Sequence, residues 1–186
     1  SFVTITFVVF SCSMLDKEPW TPLFNEKDFS EFEQRGGKAL YRVEDGTIIG
    51  TTVPNTENSF MCTQKTYSDF ILECEVFVDT CLNSGIQIRS NAYLNGRVHG
   101  YQVEIEDKHW RLWSGGIYDE ARRGWLNNLT DNEAGRQAYR KDEWNQYRIE
   151  AIGNSIKTWV NGVMCANLVD DADASGFIAF QVHNVN

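Results

Sequence analysis

The sequence predicts an all-β fold, a jelly-roll sandwich of two packed antiparallel sheets. Many short segments alternate apolar and polar residues, Phe70–Val78 and Gly100–Glu106 among them. Side chains alternate across a strand, so one face can bury while the other presents polar groups. Turn signals separate these segments; Asp45-Gly46 and Asn161-Gly162 are the plainest, since a type I′ turn needs φ > 0 at both central residues. No long stretch follows a helical period. Short strands punctuated in this way pack as two sheets.

The 186 residues suit one domain with a sizeable core, and 42% hydrophobic with 13% aromatic residues can fill it. Lys plus Arg is 17 and Asp plus Glu is 26, so the formal charge is −9. A net acid argues against a nucleic-acid partner, which needs clustered Lys and Arg. No run reaches about 18 apolar residues, so no internal membrane span is expected.

The elements follow in order. Phe2–Phe10 is almost wholly apolar and runs into Ser11-Cys12. This resembles the end of a bacterial lipoprotein signal, which implies export and a lipid anchor at Cys12 on the periplasmic or cell-surface side. Residues 1–19 are then a signal remnant and tether, 20–186 the domain, and the membrane is met only through the anchor. The other reading is a short apolar strand opening the fold. Strands are expected before and after Asp45-Gly46, the second over Thr47–Gly50, then over Phe60–Thr63, Phe70–Val78, Ser84–Ser90, Gly100–Glu106 and His109–Trp113. Ser114–Trp125 reads as a loop. Asn132–Tyr139 suits a short helical turn. Trp144–Ile152, Ser155–Val160 and Val163–Leu168 form a meander, and Gly176–His183 is a last strand. The chain stops just after it, so a closing strand is expected to be missing. Cys62, Cys74, Cys81 and Cys165 form no CxxC pair, so zinc spacing is absent. Cys62 and Cys74 could pair if their strands are neighbours, or all four are buried free thiols.

Three strands share a pattern. Ile86 and Ile88 oppose Gln87 and Arg89. Tyr101, Val103 and Ile105 oppose Gln102 and Glu104. Ile178, Phe180 and Val182 oppose Ala179, Gln181 and His183. If these strands lie together, one face collects Gln87, Arg89, Gln102, Glu104, Gln181 and His183. A merely solvated face would favour Lys, Thr, Ser and Glu. Planar amides suit sugar hydroxyls, which both donate and accept. The loop adds Tyr118, Asp119, Glu120, Arg122, Arg123 and Trp125 within eight residues. Trp125 is the better platform for a sugar ring, whereas Trp110 and Trp113 read as core. Asp119 and Glu120 could instead pair with Arg122 and Arg123 and only shape the loop.

Taken together, LFNEKDFSEF, RVEDGTIIGT, FILECEVFVD, NSGIQIRS, GYQVEIED, SGGIYDEARRGWL, EWNQYRIEAIGNSIKTWVNGV and GFIAFQVH resemble the 3-keto-disaccharide hydrolase domain family, from about Trp20 to the end. The resemblance implies a concanavalin A-like jelly roll in exported proteins that act on carbohydrate. Members continue with a further strand that this chain lacks. It also implies cleavage of glycosides oxidised to a ketone at C3, by proton abstraction at C2, elimination of the glycosidic oxygen, and net hydrolysis on addition of water. On that footing Glu104 or His183 is the base, and Arg89 stabilises the enediolate with help from Arg123. Gln87, Gln102, Gln181, Tyr118, Glu120, Arg123 and Trp125 bind substrate. A divalent metal on His183 with Glu104 or Glu120 would polarise the ketone; His99 and His109 are weaker candidates. Two other readings stand: a non-catalytic carbohydrate-binding module, and an ordinary glycosidase using Glu104 with Glu120 or Asp119.

Overall fold

The computed structural model describes residues 4–13 (backbone path only), 20–78, 82–106 and 111–185. Fourteen strands and one short helix lie among them. They are β1 (Thr4–Ser13), β2 (Phe32–Gly36), β3 (Leu40–Glu44), β4 (Thr47–Thr51), β5 (Ser59–Thr63), β6 (Phe70–Val78), β7 (Asn83–Ala92), β8 (Val98–Glu106), β9 (Ile117–Glu120) and β10 (Gly124–Asn127). After α1 (Glu133–Arg136) come β11 (Asn145–Ile152), β12 (Ser155–Val160), β13 (Val163–Val169) and β14 (Phe177–Val182). One sheet has the order β13-β12-β11-β6-β1-β4-β3 and the other β10-β9-β8-β7-β14-β5-β2. The paired strands are antiparallel, so the sandwich expected from alternation is the fold.

The apolar faces of the three compared strands meet the facing sheet. Ile86, Ile88, Tyr101, Val103, Ile105, Ile178 and Phe180 pack with Leu72, Cys74 and Val76 of β6 and Tyr147 and Ile149 of β11. Burying each such side chain contributes about 2 kcal/mol. The two turn signals behave as their chemistry requires: φ is +50° and +75° at Asp45 and Gly46, and +49° and +80° at Asn161 and Gly162.

Some expectations are corrected. The stretch Ser114–Trp125 contains a hairpin, β9 paired with β10, that extends the second sheet. Its alternation was obscured because an acid, Asp119, occupies a buried position. Asp119 is tolerated there because Arg122 and Arg123 both bond its carboxylate. The strand expected over His109–Trp113 is, in its described part, a turn with Leu112 at φ +57°. Cys62 and Cys74 lie in different sheets, and both are free and buried, as is Cys165. Cys81, His109 and Trp110 lie outside the described residues, as does the side chain of Cys12. Residues 4–10 of the apolar run follow the path of β1, between β4 and β6.

Arg89 is the largest correction. The register of β7 against β8 shifts between Ile88 and Asn91, and Arg89 has φ +46°. This bulge turns the side chain out of the polar row. The guanidinium, 1% exposed, donates from Nε to the Ser68 carbonyl (2.6 Å), from Nη1 to the Gly153 carbonyl (2.7 Å) and from Nη2 to Asp69 Oδ1 (3.1 Å). It clamps two turns and has no place in the cavity described below. Arg89→Met strands two carbonyls and should lower unfolding stability by about 3 kcal/mol in a urea titration. The folded fraction should keep its turnover; a selective loss of turnover with unchanged stability would return Arg89 to the site.

Candidate functional site

The outward face of the second sheet carries the polar row. Register aligns Ala179 with Gln87, Gln87 with Gln102, and Gln102 with Tyr118; one step along, Gly85 faces Glu104. Above these strands is a cavity of about 310 Å³ lined by Asn58, Asn83, Gln102, Glu104, Arg111, Tyr118, Glu120, Trp125, Gln181 and His183. Seven residues expected from sequence thus come together: Gln102, Glu104, Tyr118, Glu120, Trp125, Gln181 and His183.

Glu104 is its chemical centre. The side chain is almost wholly buried. Its Oε1 accepts from Asn83 Nδ2 and from Arg111 Nη2 (3.2 Å), and its Oε2 from Gln102 Nε2 (3.1 Å). Burial disfavours the charged form and pushes the pKa from 4.5 up to about 7; Glu106 pushes the same way, while the Asn83, Gln102 and Arg111 contacts oppose it. A carboxyl that changes charge near neutrality is what a general base requires.

Three neighbours fix it. Gln87 Nε2 donates to Gln102 Oε1 (2.6 Å) and Gln87 Oε1 accepts from Ser90 Oγ (2.7 Å). Both ends of this fully buried amide are engaged, so Gln87 positions Gln102 and does not line the cavity. Gly85 makes room: a Cβ there would fall 2.4 Å from Cγ and Cδ of Gln102. Arg111 binds Glu106 through Nε (2.9 and 2.8 Å) and Nη2, and Glu106 Oε1 also takes the Trp113 N–H (2.9 Å). That lock leaves Glu106 committed and presents a permanent cation beside Glu104.

The wall is aromatic. Trp125 meets Trp113 and Tyr118 edge-on, with centroids 4.8 and 5.2 Å apart, and the Arg111 guanidinium lies 5.0 Å from the Trp125 ring. Gln181 is the unfinished part. It is fully buried, and among the described residues neither Nε2 nor Oε1 has a hydrogen-bond partner. Such a group costs about 1–3 kcal/mol unless something satisfies it, and it lines the cavity. His183 joins the wall with Nδ1 2.9 Å from the Asn184 carbonyl.

Arg123 is held elsewhere, by Asp119 and by Asp170 (2.8 and 3.0 Å). Asp119 is committed to Arg122 and Arg123, whereas Glu120, on the opposite face of β9, lines the cavity; burial raises its pKa. The pairing read for both acids therefore holds for Asp119 alone. Sequence reasoning missed Asn58, Asn83, Gly85 and Arg111. Asn83 and Gly85 continue the row of Gln87 in steps of two, a signal that was there to be read. Arg111 carried none, because the strand expected over His109–Trp113 had no register that tied it to this row.

The expected metal does not fit the donors at Glu104. Both carboxylate oxygens accept hydrogen bonds, and a guanidinium stands beside them where a cation would sit. Among the described residues no three His, Cys, Asp or Glu side chains gather to hold an ion.

Known proteins agree with the architecture. A putative glycosyl hydrolase from Parabacteroides distasonis ATCC 8503 superposes with a TM-score of 0.65 at 19% identity, covering 88% of this chain and 87% of that one. The carbohydrate-binding module CBM66 from Bacillus subtilis gives 0.57 at 14% identity, covering 83% and 88%. Both show the same fold. No curated protein matches the sequence. Residues 19–186 match the 3-keto-alpha-glucoside-1,2-lyase-like domain. With the match spanning nearly the whole chain, the protein belongs to the 3-keto-alpha-glucoside-1,2-lyase-like domain family.

Proposed function

We propose that the chain cleaves glycosides whose sugar carries a ketone at C3, with Glu104 as the base. The observation that carries this reading is a buried carboxyl of pKa about 7 on the floor of a sugar-sized polar cavity, beside a fixed guanidinium and an unsatisfied amide. The ketone acidifies the C2 hydrogen. Glu104 takes that proton, and the electron pair moves to the C3 oxygen to give an enediolate. Arg111 faces the developing negative charge. The pair then returns, forming the C1–C2 double bond and expelling the glycosidic oxygen. Glu120, on the cavity wall, supplies the proton that oxygen needs. Water adding across the new double bond gives net hydrolysis. Gln102 and Gln181 bind ring hydroxyls, and Trp125 and Tyr118 offer apolar surface.

The experiment compares trehalose with its 3-keto derivative, with and without a chelator. Release of glucose from the ketone alone, at a rate the chelator leaves unchanged, is expected. Cleavage of unoxidised trehalose would instead assign a two-carboxylate glycosidase. Binding of the ketone without release would assign a carbohydrate-binding module.

A further inference from the structure

Arg136 is a cation that the Glu104 cavity does not use. It is the last residue of α1, and that helix is pinned to β13. Asn132 Nδ2 donates to the Met164 and Cys165 carbonyls (2.9 Å each), and Asn132 Oδ1 accepts the Gly135 N–H (2.9 Å). Gly135 makes the pin possible, since a Cβ there would fall 2.6 Å from Asn132 Nδ2. The helix therefore fixes where the Arg136 side chain starts. Its Nε is shut off from water and, among the described residues, has no hydrogen-bond acceptor. Arg140, four residues on, is by contrast exposed and paired with Glu143 (3.8 Å). A buried donor of a charged group is costly to leave unmet, and such a group calls for an explanation.

Arg136 lines a separate cavity of about 190 Å³, together with Arg111, Trp113 and Thr130. Two permanent cations thus meet in one wall, and no acidic residue is among the lining residues. Arg111 is rigidly placed. Its Nε and Nη2 bind Glu106, Nη2 reaches Glu104 (3.2 Å), and the guanidinium packs 5.1 Å from the Trp113 ring and 5.0 Å from the Trp125 ring. Those carboxylates offset part of its charge, but neither lines the smaller cavity. At about 30 Å³ for each water, the space holds a small ion with a few waters. Guanidinium N–H groups form forks that match the oxygens of phosphate or sulfate. A tetrahedral oxyanion has oxygens enough for both guanidiniums, whereas acetate has two and chloride none.

We propose that this cavity binds a small inorganic oxyanion, phosphate or sulfate, with Arg136 as its anchor. Arg111 is the wall it shares with the Glu104 cavity, and the Trp113 and Trp125 rings on that guanidinium report its occupancy. The test titrates the full chain with sodium phosphate and with sodium sulfate, at an ionic strength held constant with sodium chloride. Binding is read by calorimetry and by tryptophan fluorescence. Saturable binding with a Kd of about 1 mM is expected, as two charge-assisted hydrogen bonds would give. Acetate should bind about tenfold more weakly, having fewer oxygens to offer. Arg136→Gln should weaken phosphate binding by about tenfold or more. Arg136→Lys, which keeps the charge but loses the fork, should fall between the two. Arg140→Gln should bind as wild type does. Overturning results are a signal that never saturates, one that acetate matches, an affinity unchanged by Arg136→Gln, or an equal loss in Arg140→Gln, which would indicate general charge screening. Turnover is not read in this titration, so its failure would leave the cleavage reading where it stood.

Discussion

Glu104→Gln should lower kcat on a 3-keto-glycoside by about 10²–10⁴-fold, the usual worth of a positioned general base, while the ligand's Kd changes by only a few-fold. Glutamine keeps the size of the side chain and an oxygen for Asn83 and Arg111, but it cannot accept a proton from carbon. The loss therefore falls on the chemical step and not on binding. A pure binding module would show no turnover to lose and would tolerate the change. The pH profile provides a second check. In the wild-type protein the acidic limb of log kcat/KM should rise with a slope near one until about pH 7, where Glu104 becomes ionised. A variant keeping more than a tenth of wild-type turnover, or a wild-type profile flat between pH 5 and 8, would remove Glu104 from the role of base.

The fold was legible because burial imposes a period. Ile86, Tyr101, Val103 and Ile178 had to face the core, and each placed its polar neighbours outward. The same rule predicted most of the floor: Gln102, Glu104, Gln181 and His183 follow from strand alternation and from the adjacency of β8, β7 and β14. The rule failed where a backbone irregularity resets the phase. Arg89 follows Ile88 in perfect alternation, but the bulge at φ +46° sends its guanidinium to the Ser68 and Gly153 carbonyls. It failed again at Asp119, where two arginines make an acid behave as a buried residue. The cation that faces Glu104 fell in a wrongly expected strand, His109–Trp113, whose described part is a turn. Arg111 reaches the floor from a turn, and turns place side chains by their own dihedrals, which no hydrophobic period reports. Sequence thus predicts a floor more readily than a wall.

The same carboxyl should make stability fall with rising pH. In the folded protein Glu104 titrates near 7, against an ordinary value of 4.5. Below 4.5 both folded and unfolded chains hold the proton. Between 4.5 and 7 the folded chain keeps it while the unfolded chain releases it, so each rise in pH favours unfolding. Above 7 both forms are ionised, and the accumulated loss is about 3 kcal/mol. Glu120 pushes in the same direction, since its pKa is also raised by burial. Asp170, lowered to about 2 mainly by its bonds from Arg123, contributes in the opposite direction but only below about pH 4, outside this window. Glu104→Gln removes the titrating group, whereas whatever the amide costs in hydrogen bonding does not vary with pH. Relative to wild type, the variant should therefore gain about 3 kcal/mol between pH 4.5 and pH 8, read from urea unfolding at several pH values. Parallel stability curves for the two proteins would mean that Glu104 ionises normally, and the pH-rate argument would fall with it. If the curves diverge as expected, the wild-type chain keeps a carboxyl where its charged form is unfavourable. Packing gives no reason to retain it over an amide, and a proton to be taken from substrate does.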